Sequence, residues 1–245
     1  LILTQPDNPM GHVYTKNELE EATNWCIQNK VHLIVNEIYA LSQFDHRIIP
    51  GTNHWPNQSF HSFVPFINRF QSDFLHLWYS LSKDFCSSGY RVGFIYSANQ
   101  ALIEAYSHWN GPSMVSNITQ WIFTNIFHDQ VFLENYRSEL KKSISKSCKA
   151  MMDVLDVIGL KYITPQGSLF LWIDFSPYMK GSSLKDENAL WMEIYQSSGL
   201  LLTPGEGFGH KINRGCFRMV YSCIKPSEVP FVQDRLRKLS QVLKS

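Results

Sequence analysis

Short apolar runs that suit buried strands alternate with helical patterns in the first part of the chain. Val31–Tyr39 is predicted as one such strand and is apolar throughout in Leu33–Val35, and Phe74–Tyr79 is apolar or aromatic apart from His76. Before the first run, Thr15 and Glu18 have the spacing of a capping box that starts a helix. Between the two runs, a polar loop is expected from about Ser42 to Ser59. Runs that are apolar on both faces are typical of parallel strands covered by helices. The alternation therefore predicts an open α/β sheet with right-handed crossovers.

The second part of the chain has a different pattern. Ser116 to about Ile158 is helical in periodicity, and we predict two helices that are separated near His128 and Asp129. Shorter strand and helix patterns follow and predict a smaller α+β unit. We therefore expect three parts: part of a large domain over 1–115, a connecting helical segment over 116–158, and a small C-terminal α+β domain over 159–245.

Composition excludes several function classes. The chain has 245 residues and a formal net charge of +1, which gives no electrostatic reason to expect nucleic acid or an anionic membrane as a partner. Its five cysteines form no CxxC pair, which favours free thiols in a reducing, cytoplasmic compartment. The nine histidines show no spacing typical of metal ligands, so no metal site is predicted.

The first residues give a separate expectation. Leu1–Thr4 is a strand-like run with neither a methionine nor a polar segment before it. We therefore expect that an N-terminal part of the fold is missing from this sequence.

Lys83 is the candidate for chemistry. It follows the apolar run Phe74–Tyr79 and lies among small hydroxylated residues. A lysine at the end of a buried strand costs free energy unless its charge is used or its pKa is lowered. Schiff-base chemistry with a carbonyl cofactor is one such use. The alternative is a side chain that merely reaches solvent from the strand end.

Three loops share the edge of the predicted sheet where ligands bind in open α/β folds. They contain Asn8-Pro9-Met10-Gly11, then 36–39 with a Glu-x-Tyr segment, then 80–91 with Ser-x-x-Lys and Gly-x-Arg-x-Gly. This ordered set resembles the signature of the fold-type I, class I/II aminotransferases that use pyridoxal phosphate. Within that family, 80–84 and the spacing from Pro204 to Arg218 are most similar to the 1-aminocyclopropane-1-carboxylate synthase branch.

The resemblance implies a role in cofactor binding for six residues, of which Asn36 would lie beside the pyridine nitrogen and Tyr39 would also help tune the pKa of the Schiff base. Lys83 would form the Schiff base with pyridoxal 5′-phosphate and later move protons at the substrate's α-carbon. Arg91 and the Ser80 hydroxyl would bind the cofactor phosphate. Tyr39 would donate a hydrogen bond to the phenolic oxygen of the cofactor, and Asn8 would reach the same oxygen or the substrate carboxylate.

The resemblance also implies a substrate and a fold. Arg218 would bind the α-carboxylate of an amino-acid substrate through both of its terminal nitrogens. The expected architecture is the aspartate aminotransferase-like fold of pyridoxal-phosphate-dependent transferases, with an open, mostly parallel sheet in a large domain and a smaller C-terminal α+β domain. A homodimer with its active site near the interface is implied as well.

Asn36 departs from the family pattern, which places an aspartate beside the pyridine nitrogen. Two unit charges about 4 Å apart at an effective dielectric constant of about 20 attract by roughly 4 kcal/mol, which a neutral amide cannot supply. The electron sink for a carbanion should therefore be weaker. Three explanations stay open: a chemistry that needs less stabilisation, a catalytically impaired relative, or protonation supported by another group.

The sequence thus predicts a pyridoxal-phosphate-dependent enzyme that acts on an α-amino acid through Lys83, either as an aminotransferase or as a lyase similar to 1-aminocyclopropane-1-carboxylate synthase. The alternative is a protein that keeps the fold but serves a binding or regulatory role, and Asn36 favours it.

Overall fold

The computed structural model of the chain describes residues 1–50, 59–209 and 214–243, so the predicted loop between Ser42 and Ser59 lies partly outside the described residues. The chain forms two compact units. The first contains the described residues of Leu1–Asp7, His12–Gln43 and Asn57–Lys141, and the second those of Asn8–Gly11, Phe44–Pro56 and Lys142–Ser245. The predicted division at 115 and 158 stays a prediction.

The first unit contains a four-stranded sheet. Its strands follow each other in chain order: β1 (Ile2–Thr4), β2 (Leu33–Asn36), β3 (Leu75–Ser80) and β4 (Gly93–Ser97). The first three are parallel, whereas β4 is antiparallel to β3. The sheet is therefore mostly parallel, as predicted. Since parallel strands end at one edge, the last residues of β2 and β3 lie at the same edge.

Local sequence explains how this sheet is covered. The first helix, α1 (Lys16–Gln28), begins at the predicted capping box, in which Thr15 Oγ1 accepts from the Glu18 amide at 3.0 Å. The second, α2 (Val64–Phe70), has a proline in its first turn. Both helices pack on the apolar strands to form one core. Its buried members are Leu19, Cys26, Leu33, Val35, Phe63, Phe66, Ile67, Leu75 and Leu77.

Four α-helices lie between β3 and the first strand of the second sheet. They are α3 (Leu81–Asp84), α4 (Gln100–Trp109), α5 (Asn117–His128) and α6 (Gln130–Ile158). The predicted separation near His128 and Asp129 is confirmed, and the Asp129 carboxylate accepts from the Phe132 amide at 2.9 Å as α6 begins.

The second unit is built on an antiparallel sheet. Its strands are β5 (Lys161–Ile163), β6 (Phe170–Asp174), β7 (Thr203–Pro204) and β8 (Cys216–Val220), in the order β5-β6-β8-β7. Two helices, α7 (Leu184–Ser198) and α8 (Val229–Leu243), pack on one another. In α8, Leu236 and Leu239 are fully buried.

Asn8–Gly11 belongs to the second unit through a close backbone approach. The Gly11 carbonyl accepts from the amides of Gln166 at 3.0 Å and Gly167 at 3.2 Å. The φ angle of Gly11 is +74°, and a Cβ there would lie 2.5 Å from the Gly167 carbonyl oxygen. Only glycine fits this position without strain. The glycine of the Asn-Pro-x-Gly motif therefore fixes where the Asn8 loop meets the small sheet.

One predicted strand end is wrong. The pattern predicts a strand over 31–39, but β2 ends at Asn36. The Asn36 amide oxygen accepts from the Ile38 amide at 3.2 Å, which bends the chain into a turn. Tyr39 therefore lies in the turn after the strand and not at its end.

Candidate functional site

Ser80 converts the end of β3 into the turn that bears Lys83. It is the last residue of the strand and the N-cap of α3, where its Oγ accepts from the Ser82 amide at 3.1 Å. The Ser80 hydroxyl donates to the Val92 carbonyl at 2.9 Å and lies 2.7 Å from the Ser82 hydroxyl. The Ser80 hydroxyl is thus already occupied by partners within the first unit.

Lys83 lies in this helical turn, three residues after the strand and not at the strand end that the sequence predicts. Its side chain is exposed, and within the described residues it takes part in no ion pair and no side-chain hydrogen bond. The neighbouring carboxylate of Asp84 is fully buried and points inward. The amine of Lys83 is therefore not occupied by any side chain that the structure describes.

Sequence reasoning missed Asp84. Its carboxylate accepts from the Leu41 amide, the Ser42 hydroxyl and the Tyr79 hydroxyl. Burial raises the pKa of Asp84 to about 6, although its hydrogen bonds favour the charged form. An acidic residue directly between Lys83 and the apolar Phe85 was the available signal in the sequence.

Asn36 and Ser80 line one concave surface in the first unit. It encloses a volume of about 330 Å³ at the edge where β2 and β3 end, and its walls are mostly aromatic and aliphatic. Lys83, Tyr39 and Arg91 are not among the lining residues. The complete lining is Asn36, Ile38, Trp78, Tyr79, Ser80, Gly93, Phe94, Ile95 and Tyr106.

A second cavity in the same unit has a volume of about 400 Å³ but a different character. Leu81, Val92 and Phe123 form its apolar floor, and none of the predicted site residues lines it. The smaller surface is therefore the candidate site, because of the two it is the one lined by predicted site residues, Asn36 and Ser80.

Arg91 follows the Lys83 turn in the sequence, whereas Tyr39 lies in the turn after β2. Arg91 follows a short 3₁₀ helix, has a φ angle of +57°, and is exposed, with Nη1 donating to the Ser88 carbonyl at 2.8 Å. Tyr39 is buried, with 5% of its surface exposed, in the turn that follows Asn36. The first unit thus contains five of the seven predicted residues.

The other two, Asn8 and Arg218, are in direct contact in the second unit. Nη1 of Arg218 donates to the Asn8 amide oxygen at 2.9 Å, and Nη2 donates to the Thr203 hydroxyl at 3.3 Å. The guanidinium lies 4.5 Å from the ring centre of Phe170 and 5.0 Å from that of Phe208. Two rings and two oxygens therefore hold this cation in place. Thr203 and Phe208 were not predicted from the sequence.

The donor set fits pyridoxal phosphate. An aldehyde needs an amine without a competing carboxylate, and Lys83 supplies one. A phosphate needs cations or N–H donors, and Arg91 has an exposed guanidinium. A pyridine ring needs a polar partner and flat apolar walls, and the surface around Asn36 has both.

In the described part of the chain, no three or more His, Cys, Asp or Glu side chains are grouped so that they could hold a metal ion. Over the same residues, none of the helices combines the length and the apolar content needed to cross a membrane.

Two similar known proteins are both 1-aminocyclopropane-1-carboxylate synthases. The chain is 30% identical over 246 residues to a 1-aminocyclopropane-1-carboxylate synthase of Nicotiana tabacum, and 30% identical over 250 residues to one of Solanum lycopersicum. These alignments cover 100% of this chain but 48% and 49% of those proteins. The chain thus spans about half the length of the curated relatives it matches.

Solved structures agree on the fold. An aromatic aminotransferase from Pyrococcus horikoshii superposes with a TM-score of 0.79 at 18% identity, over 100% of this chain and 59% of that one. A double mutant of Thermus thermophilus aspartate aminotransferase gives 0.77 at 18% identity, over 98% and 56%. The aspartate aminotransferase-like fold is confirmed. Residues 1–236 match the family described as aminotransferase class I and II, and the chain belongs to that family.

Proposed function

We propose that this chain belongs to a pyridoxal-phosphate-dependent enzyme that acts on an α-amino acid, with Lys83 as the amine that holds the cofactor. The observation that carries the proposal is the Lys83 turn. An exposed amine, without a carboxylate partner among the described residues, follows the parallel strand that ends at Ser80. The family membership supports the same function.

Pyridoxal phosphate, when bound, supplies an aldehyde for an amine and a ring that accepts electrons from the substrate's α-carbon. The chain's own residues then have separate tasks. Lys83 holds or moves a proton at that carbon. Arg91 binds the phosphate, and Tyr39 donates to the phenolic oxygen. The Ser80 hydroxyl lies within hydrogen-bond distance of the Ser82 hydroxyl and the Val92 carbonyl, so Ser80 donates to a phosphate only by giving up its bond to one of them.

Arg218 and Asn8 would receive the substrate's α-carboxylate. The guanidinium is already held between aromatic rings and side-chain oxygens, so little side-chain entropy is lost when a carboxylate binds. A carboxylate would exchange with, or add to, the bonds that Arg218 makes to Asn8 and Thr203.

The similar proteins support two reaction types. Two relatives are named as 1-aminocyclopropane-1-carboxylate synthases, and two neighbours in structure as aminotransferases. We therefore propose either a lyase reaction at the γ-position, with S-adenosylmethionine as the substrate of that branch, or transamination. We also propose a cytoplasmic homodimer with its site near the interface, on the basis of the family resemblance and the free cysteines.

Asn36 supports a second candidate, a protein with a binding or regulatory role and reduced turnover. No carboxylate lines the surface around Asn36. The nearby carboxylate of Glu37 accepts from the Ser62 hydroxyl and the Phe63 amide, and that of Asp84 is satisfied by three donors. A carboxylate that would keep the pyridine nitrogen protonated is therefore missing from the lining.

Covalent trapping tests cofactor attachment. The full chain is mixed with pyridoxal phosphate, treated with borohydride and digested for mass spectrometry. We expect a stable mass addition on Lys83 that disappears in Lys83→Ala and persists in Lys161→Ala, which removes an exposed lysine of β5. A native chain that carries no addition on Lys83 would overturn the enzyme proposal.

Turnover separates the two candidates. The native protein and Asn36→Asp, each loaded with pyridoxal phosphate and not reduced, are assayed with a panel of amino acids that includes S-adenosylmethionine. Formation of an oxo acid indicates transamination, and release of a thioether indicates lyase chemistry. Attachment at Lys83 without turnover, restored in Asn36→Asp, would instead support the binding or regulatory role.

A further inference from the structure

The carboxylate of Asp84 is fully buried and fully occupied. It accepts from the Leu41 amide at 2.9 Å, from the Ser42 hydroxyl at 2.8 Å and from the Tyr79 hydroxyl at 3.1 Å. All three partners are donors, so the group is used as an acceptor. A carboxylate with this arrangement acts as a structural anchor and is not available to a substrate.

Two of these donors belong to the turn that contains Tyr39. In that turn the Tyr39 carbonyl accepts from the Ser42 amide at 2.9 Å, which closes the chain between them. The bonds from Leu41 and Ser42 to Asp84 therefore connect the turn that bears Tyr39 with the turn that bears Lys83. The third donor, Tyr79, connects both to β3.

The backbone of Asp84 is held as well. The Tyr136 hydroxyl on α6 donates to the Asp84 carbonyl at 2.6 Å, and the Tyr136 ring stacks on Phe85 with 5.4 Å between ring centres. The residue after Lys83 is thus fixed through its side chain and its main chain by three different elements. The Lys83 side chain itself makes no hydrogen bond and no ion pair among the described residues.

We propose that Asp84 is a positioning residue, whose buried carboxylate fastens the turn that bears Lys83 to the turn that bears Tyr39. The roles of those two side chains rest on the proposed function, whereas the fastening is a property of the chain without cofactor. A lysine that must meet a cofactor bonded to Tyr39 gains from such a link, because the two groups keep a constant separation.

The hydrogen-bond geometry predicts which substitution preserves the link. An asparagine can accept from the Leu41 amide and the Tyr79 hydroxyl through its oxygen, and donate to the Ser42 oxygen through its nitrogen. An alanine leaves all three donors without a partner. Asp84→Asn should therefore keep the two turns together, and Asp84→Ala should release them.

Hydrogen exchange tests the link without any cofactor. The informative amides are that of Leu41, which donates to Asp84, and that of Cys86, which donates to the Lys83 carbonyl at 3.1 Å. In Asp84→Ala we expect both to exchange about tenfold faster or more. In Asp84→Asn, and in Asp73→Ala as a matched control on an exposed aspartate of the same unit, both should stay near the native rates. Unchanged exchange in Asp84→Ala would overturn the proposal.

Labelling tests the consequence for Lys83. The rate of borohydride-stable addition of pyridoxal phosphate to Lys83 should fall about tenfold in Asp84→Ala and recover in Asp84→Asn. Faster exchange with an unchanged labelling rate would overturn the positioning role. A native chain that is never labelled would overturn the proposed function alone, since the exchange rates still report the fastening.

A milder pair of variants applies if Asp84→Ala does not fold. Ser42→Ala and Tyr79→Phe each remove one donor and leave the carboxylate in place. We expect each to raise the exchange of the Leu41 amide by a smaller factor, and the double variant by more than either. Native exchange in the double variant would contradict the proposal.

Discussion

The amide oxygen of Asn8 accepts a hydrogen bond from Nη1 of Arg218 at 2.9 Å, although the two residues are 210 positions apart. The Gly11 carbonyl, bonded to the amides of Gln166 and Gly167, brings the Asn8 loop to the small sheet. The guanidinium is then held from its faces by Phe170 and Phe208. The proposed carboxylate receptor is therefore assembled from loops and strands that are remote in the sequence.

Arg218→Lys should weaken amino-acid binding while leaving the fold intact. Lysine keeps the positive charge but loses the planar fork and its stacking on the two rings. We expect KM for the amino-acid substrate to rise about tenfold or more, which corresponds to about 1.4 kcal/mol, with a smaller change in kcat. Steady-state kinetics measures both.

Arg237→Lys is the matched control, because Arg237 is exposed on α8. It should leave KM unchanged. An Arg218→Lys protein with native KM would show that Arg218 does not bind the substrate carboxylate.

Gly11→Ala should destabilise the second unit. The new Cβ would lie 2.5 Å from the Gly167 carbonyl oxygen and 2.7 Å from the Pro165 Cβ, at a φ angle of +74° that alanine adopts poorly. We expect a loss of about 3 kcal/mol or more in the free energy of unfolding, measured by chemical denaturation. Gly111→Ala, where an added Cβ meets no atom within 4 Å, should change it by less than about 1 kcal/mol.

Features that depend on neighbouring residues were predictable from the sequence. The Thr15 and Glu18 capping box, and the break between α5 and α6 at Asp129, follow from side chains that bond to their own backbone within one turn. The end of β2 was missed by three residues. Apolar periodicity extends through Ile38 and Tyr39, whereas the bond from the Ile38 amide to Asn36 decides the strand end.

The site was predictable where a family motif exists and not where tertiary contacts decide. The order of Asn8, Lys83 and Arg218 indicated the family, since these residues stand in recognisable local patterns. The roles of Asp84 and Phe208 were not visible, because their partners come from other elements and no local spacing indicates them. The assignment of individual site residues stays a prediction.

His76 should make the chain less stable in mild acid. It is buried, its Nε2 lies 2.7 Å from His32 Nδ1, and its Nδ1 lies 2.8 Å from the Ser97 hydroxyl. Burial and the neighbouring His32 lower the pKa of His76, although Asp73 opposes them. Below the ordinary histidine pKa the unfolded chain then binds more protons, so stability falls as pH falls through this window.

Replacement tests that prediction. His76→Gln should reduce the slope of the unfolding free energy between pH 5 and 7, measured by denaturation at several pH values. His108→Gln, on the exposed surface of α4, should leave the slope unchanged. An equal slope in His76→Gln and the native chain would contradict the prediction.

Asp84 should change the free energy of unfolding with pH in the direction opposite to that of His76. Burial raises its pKa from 3.8 to about 6. Between these two pH values the folded chain therefore holds more protons at this site than the unfolded chain. Its contribution favours folding in acid and is lost as pH rises through about 6. A shift of this size corresponds to about 3 kcal/mol at 1.36 kcal/mol per pH unit. Tyr79 and Tyr136, which face it, titrate far above this range because burial raises the pKa of both.

Asp84→Asn should therefore be more stable than the native chain at pH 7.5, by about 1 to 3 kcal/mol, and should lose about half of this advantage by pH 5 and most of it by about pH 4. The amide keeps the hydrogen bonds but never carries the buried charge. Because both proteins contain His76, its opposing contribution cancels in the comparison. Chemical denaturation at these pH values measures the difference, and Glu104→Gln, at an exposed position of α4, should show none. An Asp84→Asn protein that is less stable at pH 7.5 would show that the charged carboxylate itself stabilises the turn.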